Sequence, residues 1–509
     1  MLARIWSASL IGIEALKVGV EVDLSGGLPG VVIVGLPDTA VQESRERVRA
    51  ALKNAGFAFP MRKVVINLTP ADVRKEGPIY DLPIAAGILA ASDAVDNKLL
   101  DDYLLLGEMS LDGTLRPVAG VVAIAAAARR LGLKGLILPA DNATEAAVVP
   151  ELNVYGFQHL SEVVNFLNNP ADCQPTQPDA PHNLLATTAP SQDLRDVKGQ
   201  AQARRALEIA AAGGHNLCLI GPPGSGKTML AQRLPGILPP LTFAEALEVT
   251  QIHSVAGLLK EKGNLVNQRP FRTPHHSASG PSLVGGGSYP KPGEISLAHR
   301  GVLFLDELTE FKRSVLEFLR QPLEDGKVTI TRTRQSVEFP AQFTLVSSTN
   351  PCPCGYFGDT VQPCTCTPRH REQYWAKLSG PLMDRIDLQV VVGRLKPEEV
   401  TRQPEGEDSQ TVRDRVEAAR HRAQARFSAE PNLQCNADME SRHIRQWCAF
   451  DTTTRSLIEG AVRKLGLSAR ATDRILKVAR TIADLSASEK LETQHVAEAI
   501  QYRTVDRMQ

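Results

Sequence analysis

The chain has 509 residues, with 57 Lys plus Arg against 57 Asp plus Glu, 43% apolar residues and 22% charged ones, the make-up of a soluble globular protein with room for three or four domains of ~150 residues. Zero formal charge excludes a strongly basic nucleic-acid coat, so any such contact must come from a few local cations. The longest uncharged apolar stretch, Val118–Ala128, is far short of the ~20 residues that cross a bilayer, and MLARIWSASLIGIEAL lacks a signal-peptide pattern, so no membrane association and a cytoplasmic location are expected.

Val18–Leu24 and Val31–Gly35 read as strands. Pro37–Ala55 reads as a helix opened by Asp38 and closed at Gly56. Val64–Leu68, Tyr103–Gly107 and Gly135–Leu138 are further strands, with an Ala-rich helix at Gly120–Leu131 between the last two. Residues 1–168 thus form an α+β module. Residues 169–192 are rich in Pro, Ala, Thr and Gln, which predicts a flexible linker. Strands and helices alternate over 193–400, and 401–509 is helical.

Within the second module Asn216–Ile220 is a short apolar strand, followed by Gly221, Pro222, Pro223, Gly224, Ser225, Gly226, Lys227 and Thr228 and then a helix. This is the phosphate-binding loop in its required strand–loop–helix setting. Its glycines let backbone N–H groups turn toward phosphate oxygens, and the helix N-terminus adds partial positive charge. Lys227 supplies a cation to the β- and γ-phosphates of ATP, and Thr228 a hydroxyl to Mg²⁺. GVLFLDE then reads as a buried strand ending in two carboxylates, Asp306 for Mg²⁺ and Glu307 to polarise the attacking water. A third strand, Phe343–Ser347, leads to Asn350, placed to orient that water, or else a turn residue before Pro351. Arg385 lies among Leu382, Met383 and Ile386; it is either a finger for a neighbouring subunit's γ-phosphate or a salt-bridge partner of Asp384 or Asp387. Arg470 opens a helix in the last module and either touches the γ-phosphate from the lid or is a solvated surface residue.

Cys352, Cys354, Cys364 and Cys366 crowd into one loop, while Cys173, Cys218, Cys435 and Cys448 are scattered. Four thiolates can close a tetrahedral structural Zn²⁺ site, although C-x-C is tighter than the usual C-x₂-C. Redox disulfides or merely buried thiols are the alternatives.

These residues resemble an AAA+ ATPase, closest to the branch of magnesium-chelatase ATPase subunits and minichromosome-maintenance helicases. The Gly/Pro-rich Leu283–Glu294 resembles that branch's helix-2 insertion, and GKVTITRTRQSVEFPAQF its hairpin before the sensor-1 strand. The whole chain resembles the bacterial magnesium-chelatase-like family of the ComM and YifB type. The fold implied is α/β: an AAA+ P-loop core with a four-Cys insert at 352–366 and a C-terminal helical lid, preceded by a Lon-protease-like (ribosomal S5 domain 2-like) domain. KEGPIYDLPIAAGI and GEMSLDGTLRPVAGVVAIAAA resemble Lon's serine- and lysine-bearing segments, but Ile79 and Val122 stand at those positions. A Ser–Lys pair needs a hydroxyl and an amine, so no peptidase chemistry is expected.

The resemblance implies a homo-hexamer driving DNA translocation and branch migration during recombination of incoming DNA, with other recombination proteins as candidate partners. Lys327, Arg332 and Arg334, with no acid between them, would bring cations to the ring axis, and Lys291 in the insertion is a weaker candidate. Such phosphate contacts suit single-stranded or branched DNA at low sequence specificity; a solvated β-ribbon is the alternative. The competing functions are a magnesium-chelatase-type ATPase subunit and a nucleotide-dependent scaffold.

Overall fold

The computed structural model describes residues 2–177, 192–259, 263–287, 290–332, 335–378, 380–395, 406–430 and 432–503. Arg334, residues 178–191 of the expected linker and the expected core–lid boundary at 400 lie outside the described residues.

The N-terminal part builds β1 (Leu2–Ile11), β2 (Glu14–Ser25), β3 (Gly30–Val34), α1 (Thr39–Asn54), β4 (Lys63–Thr69), α2 (Asp81–Ala91), β5 (Tyr103–Leu105), α3 (Val121–Arg130), β6 (Gly135–Pro139), α4 (Ala140–Ala147), β7 (Asn153–Phe157) and α5 (Leu160–Asn168). One seven-stranded sheet runs β3-β4-β2-β1-β5-β6-β7. It is antiparallel through β1, β2 and β4 and parallel elsewhere. Asp38 caps α1 as its sequence position suggests, accepting from Val41 N at 2.8 Å. Helix α2 is buried along its whole length, and its apolar run needs that central place. Its one acid, Asp81, is satisfied by the Arg47 Nε (2.8 Å), the Ser44 hydroxyl and Met109 N (3.2 Å). The expected linker starts later than 169. Pro170–Asp172 is a short helical turn, and Thr176 N bonds Val154 O at 2.7 Å on the outer edge of β7.

The second part contains α6 (Ala201–Gly213), β8 (Leu217–Ile220), α7 (Lys227–Ile237), α8 (Phe243–Ala256), β9 (Phe271–Arg272), β10 (Val302–Leu305), β11 (Lys327–Arg332), β12 (Gln335–Pro340), β13 (Thr344–Thr349) and β14 (Leu388–Val391). A parallel sheet runs β9-β10-β13-β8-β14, buried on both faces as a doubly wound sheet requires. Strands β11 and β12 form a separate antiparallel hairpin, and Gly285–Gly286 pairs with Lys291–Pro292 in a short ribbon. The lid is α9 (Ser409–Arg426), α10 (Ser441–Trp447), α11 (Thr452–Leu465), α12 (Ala469–Leu485) and α13 (Thr493–Gln501), sharing one apolar core with α6 and α7.

The N-terminal part is not merely tethered. Leu241, Ala246 and Leu265 are buried in the same apolar cluster as Val121, Ile124 and Ala125 of α3. Inside this seam the Ser254 hydroxyl of α8 donates to Glu145 Oε1 of α4 at 2.5 Å.

Candidate nucleotide site and cysteine cluster

Strand β8 is four buried residues, and its carboxyl end delivers Gly221 into a gap that admits no side chain. A Cβ there would lie 2.1 Å from Val392 O. Gly224 and Gly226 take left-handed backbone, φ +76° and +89°, which glycine adopts without strain. Lys227, first residue of α7, folds back over the loop. Its ammonium donates to Gly221 O at 2.7 Å, Pro222 O at 2.9 Å and Asn350 Oδ1 at 3.4 Å. Burial lowers its pKa, and Asp306 and Glu307 oppose that shift. The Ser225 hydroxyl is buried and has no partner among the described residues. A desolvated ammonium, an orphaned hydroxyl and a glycine-lined cradle fit a phosphate chain.

The P-loop, Asp306/Glu307 and Asn350 come together because β8, β10 and β13 end at one edge of the parallel sheet. Thr228 Oγ1 donates to Asp306 Oδ2 at 3.0 Å, and the Ser348 hydroxyl holds Asp306 Oδ1. Thr228 and Asp306 are the oxygen donors that would hold Mg²⁺. Glu307 has φ +53°, rare for a residue with a Cβ, and its carboxylate stays half-exposed. The His276 ring lies beside it, Nδ1 to Oε2 3.8 Å, with the His275 ring tilted against His276 at 4.0 Å. His275 bonds Ser277, whereas His276 stands at the Glu307 carboxylate, a juxtaposition that only the return of β9 beside β10 reveals.

The two arginines fall elsewhere. Arg385 is buried and bonds Pro381 O at 2.6 Å and Glu324, rather than Asp384 or Asp387. It lines a cleft of about 780 Å³ with Arg470, Arg474, Asn216, Gly301 and Thr344. Asn216 and Gly301 immediately precede β8 and β10 and Thr344 opens β13, so the cleft lies at the amino end of the sheet. The P-loop lies at the carboxyl end, and four-residue strands at ~3.3 Å each separate the two by ~13 Å. Arg470 therefore faces the amino end of the sheet, away from its own chain's P-loop. Between core and lid, buried Asp387 bonds Arg474 at 2.7 Å and His215 at 3.3 Å. Burial disfavours its charge, but the His215 bond and the Arg474 charge outweigh this and hold its pKa well below the carboxylate range.

Cys352, Cys354, Cys364 and Cys366 converge, all four sulfurs lying within 4.8 Å of one another. The separations are 3.3 Å for Cys352–Cys354, 3.7 Å for Cys352–Cys364 and 3.6 Å for Cys354–Cys364. Zn–S bonds of about 2.3 Å in a tetrahedron put sulfurs ~3.8 Å apart, so the set fits the ion. Burial disfavours the Cys354 thiolate, yet backbone N–H groups of Tyr356 and Thr365 over-compensate and hold its pKa down at about 5. The loop abuts the nucleotide site: a Cβ at Gly355 would lie 2.8 Å from Pro223.

Of the expected DNA contacts, Lys327 stands at the foot of the hairpin, its ammonium on Glu338 Oε1 at 2.8 Å. The sequence window free of acids did not include this cross-strand partner. Arg332 ends β11 opposite Gln335, and Lys291 is exposed on the short ribbon. Ile79 packs against the apolar cluster that contains Val122, so both residues that the Lon resemblance sets at the serine and lysine positions lie among hydrocarbon.

A P-loop on a doubly wound parallel sheet, two acids on the adjoining strand, a polar residue after the third and a helical lid define an AAA+ ATPase. The family model for "Magnesium chelatase, subunit ChlI" matches residues 193–400, that for "Subunit ChlI of Mg-chelatase" residues 20–142, and that for the ChlI C-terminal region residues 406–503. The chain is 44% identical over 512 residues to the uncharacterised protein YifB of Salmonella typhimurium, covering 100% of this chain and 98% of that one. It is 45% identical over 514 residues to competence protein ComM of Haemophilus influenzae, with 100% and 98% covered. Lon protease 2 of Thermus thermophilus is 27% identical over 158 residues, 29% of this chain and 19% of that protein. The chain belongs to the magnesium-chelatase-like AAA+ family that includes YifB and ComM. Among the described residues no helix is long and apolar enough to cross a membrane.

Proposed function

We propose that this ATPase is a ring-forming DNA motor, a hexamer whose ATP turnover drives translocation and branch migration on single-stranded or branched DNA. One observation carries the reading: Arg385 and Arg470 share a cleft at the end of the sheet opposite the P-loop. Two arginines so placed can meet a γ-phosphate only across an interface, from a neighbouring copy. The relationship to a competence protein favours DNA as the track.

Lys227 binds and charge-balances the β- and γ-phosphates of ATP. Mg²⁺, when bound through Thr228 and Asp306, supplies neutralisation of the phosphate charge. Asn350 positions the attacking water, and the Glu307 carboxylate accepts its proton. Arg385 of the adjoining copy moves from Glu324 to the γ-phosphate oxygens, and Arg470 completes that contact. The β11–β12 hairpin, through the expected cations Arg332 and Arg334, grips the DNA backbone by charge and not by base. Cys352, Cys354, Cys364 and Cys366 would hold Zn²⁺, which would cross-link the loop beside Pro223 and, with four protein ligands, leave no open position for catalysis.

The test is ATP turnover with single-stranded DNA, with porphyrin plus Mg²⁺, and with neither, alongside strand displacement on three- and four-way junctions. Stimulation by DNA and displacement lost in Lys227→Ala and Glu307→Gln are expected. Stimulation by porphyrin alone would replace the motor with a chelatase-type ATPase, and no stimulation by either would leave a nucleotide-dependent scaffold.

A further inference from the structure

The turn between β1 and β2 seats Gly12 directly on the hairpin. Gly12 is buried at φ +64°, and a Cβ there would lie 2.5 Å from Val337 Cγ1, 3.4 Å from Glu338 O and 3.6 Å from Phe339 Cε1. Val337 and Phe339 are themselves 2% and 0% exposed, so neither can swing aside into solvent. Pairing sets Ile330 opposite Val337 and Val328 opposite Phe339, which gives the hairpin one apolar face. Thr329–Glu338 and Thr331–Ser336 make the other face polar. The apolar face is covered from two directions. Gly12 takes Val337, and the Gly/Pro-rich ribbon takes Ile330, whose Cδ1 would lie 3.1 Å from a Cβ at Gly285.

The contacts then close on themselves. The ribbon strand Lys291–Pro292 packs on α8, and α8 shares a buried core with α3 of the N-terminal domain. Gly120, which opens α3, is pinned between Leu10 of β1 and Val255 of α8. The circuit runs from the β1–β2 turn to the hairpin, the ribbon, α8, α3 and back to β1. A two-stranded hairpin is marginal unless something packs on it. Here that support comes from a domain that holds neither nucleotide nor peptidase chemistry.

We propose that Gly12 is a positioning residue and that the N-terminal domain is a brace that fixes the angle at which the 327–340 hairpin meets DNA. This rests on reading the hairpin as the DNA grip. A domain movement at the seam shifts hairpin and ribbon together, while the P-loop, held by β8 and α7, stays in place.

The test uses full-length protein carrying Gly12→Asn. Asparagine tolerates the left-handed backbone, so the new Cβ against Val337 is the perturbation that counts. Amide exchange of residues 327–340 is expected to speed up roughly tenfold while β8 and β10 keep their protection. Affinity for single-stranded DNA is expected to fall, with ATP turnover in its absence unchanged. Val337→Ala removes the clashing methyl, so the double variant is expected to regain protection and affinity relative to Gly12→Asn, a non-zero coupling against Val337→Ala alone. Unchanged hairpin exchange in folded Gly12→Asn, or additive effects in the cycle, overturns the brace. Absence of DNA binding by the unsubstituted protein sinks the grip reading instead, and the exchange data still judge the brace.

Discussion

Arg385→Ala separates a catalytic arginine from a structural one by magnitude. The guanidinium side chain is 8% exposed, but Glu324, its carboxylate partner, is 59% exposed. Burial lowers the Arg385 pKa, and neighbouring Arg320, Arg474 and Arg470 push the same way, so the charge sits in an unfavourable place. Deleting it forfeits a largely hydrated ion pair, worth ~0–1 kcal/mol, and relieves cationic crowding. Global stability should therefore shift by no more than ~1–2 kcal/mol, even with the stem's packing included. A finger for a γ-phosphate is worth ~10³–10⁵ in turnover, or ~4–7 kcal/mol of activation free energy. The expected protein melts almost as before and is nearly inert. Mixing decides where the arginine acts. Lys227→Ala copies lack a working loop but keep Arg385; Arg385→Ala copies have the reverse. Mixed in equal amounts, each interface pairing an Arg385→Ala loop with a Lys227→Ala arginine is complete, so turnover should reappear. Near-normal turnover by Arg385→Ala alone, or mixtures as silent as their components, would refute the reasoning.

Purified protein is expected to contain about one zinc per chain, and Cys354→Ser to lose it together with part of its nucleotide affinity, because the loop abuts Pro223; no metal and four freely titrating thiols would exclude the site. Asp387→Ala should cost ~3–5 kcal/mol, read by chemical denaturation, since Arg474 and His215 lose a buried partner. The folded pKa of Asp387 is depressed, so its contribution is full above the unfolded value of about 3.9 and is lost as pH falls below it; the variant should show a shallower acid limb in stability against pH, and an identical limb would contradict the pair. Casein and short peptides are expected to survive prolonged incubation with the protein, because Ile79 and Val122 occupy the peptidase positions; hydrolysis that persists through Lys227→Ala and co-purifies with the chain would overturn that.

The phosphate loop and the paired acids were legible because each is a local pattern, turn chemistry in one and a buried run ending in charge in the other; the hairpin was legible through the family resemblance. A helix boundary followed the same logic at Asp38, which caps as its position suggests. What stayed hidden depends on residues far apart in the chain. Lys327 looked uncompensated until strand register brought Glu338, the partner of Thr329, within diagonal reach at 2.8 Å. Strand β1 has no clean alternation because it is covered on most sides, so nothing in Leu2–Ile11 announced it. Arg470 could be placed at the start of a helix but not at an end of the sheet, since that depends on how α12 docks. The seam between α3 and α8 is ordinary apolar surface on both partners, and composition carries no label for which hydrophobic face meets which.

In the proposed assembly, where the arginine cleft of one copy serves the phosphate loop of the next, the separation of the two within a chain dictates how copies join. A site that gives at one end and receives at the other is not self-complementary, so two copies related by a twofold axis would satisfy neither half. Copies must add nose to tail, and a stack that never closes always ends in one loop without an arginine and one arginine without a loop. Closure abolishes both idle ends at once, which ties full activity to a complete circle rather than to the number of protomers joined.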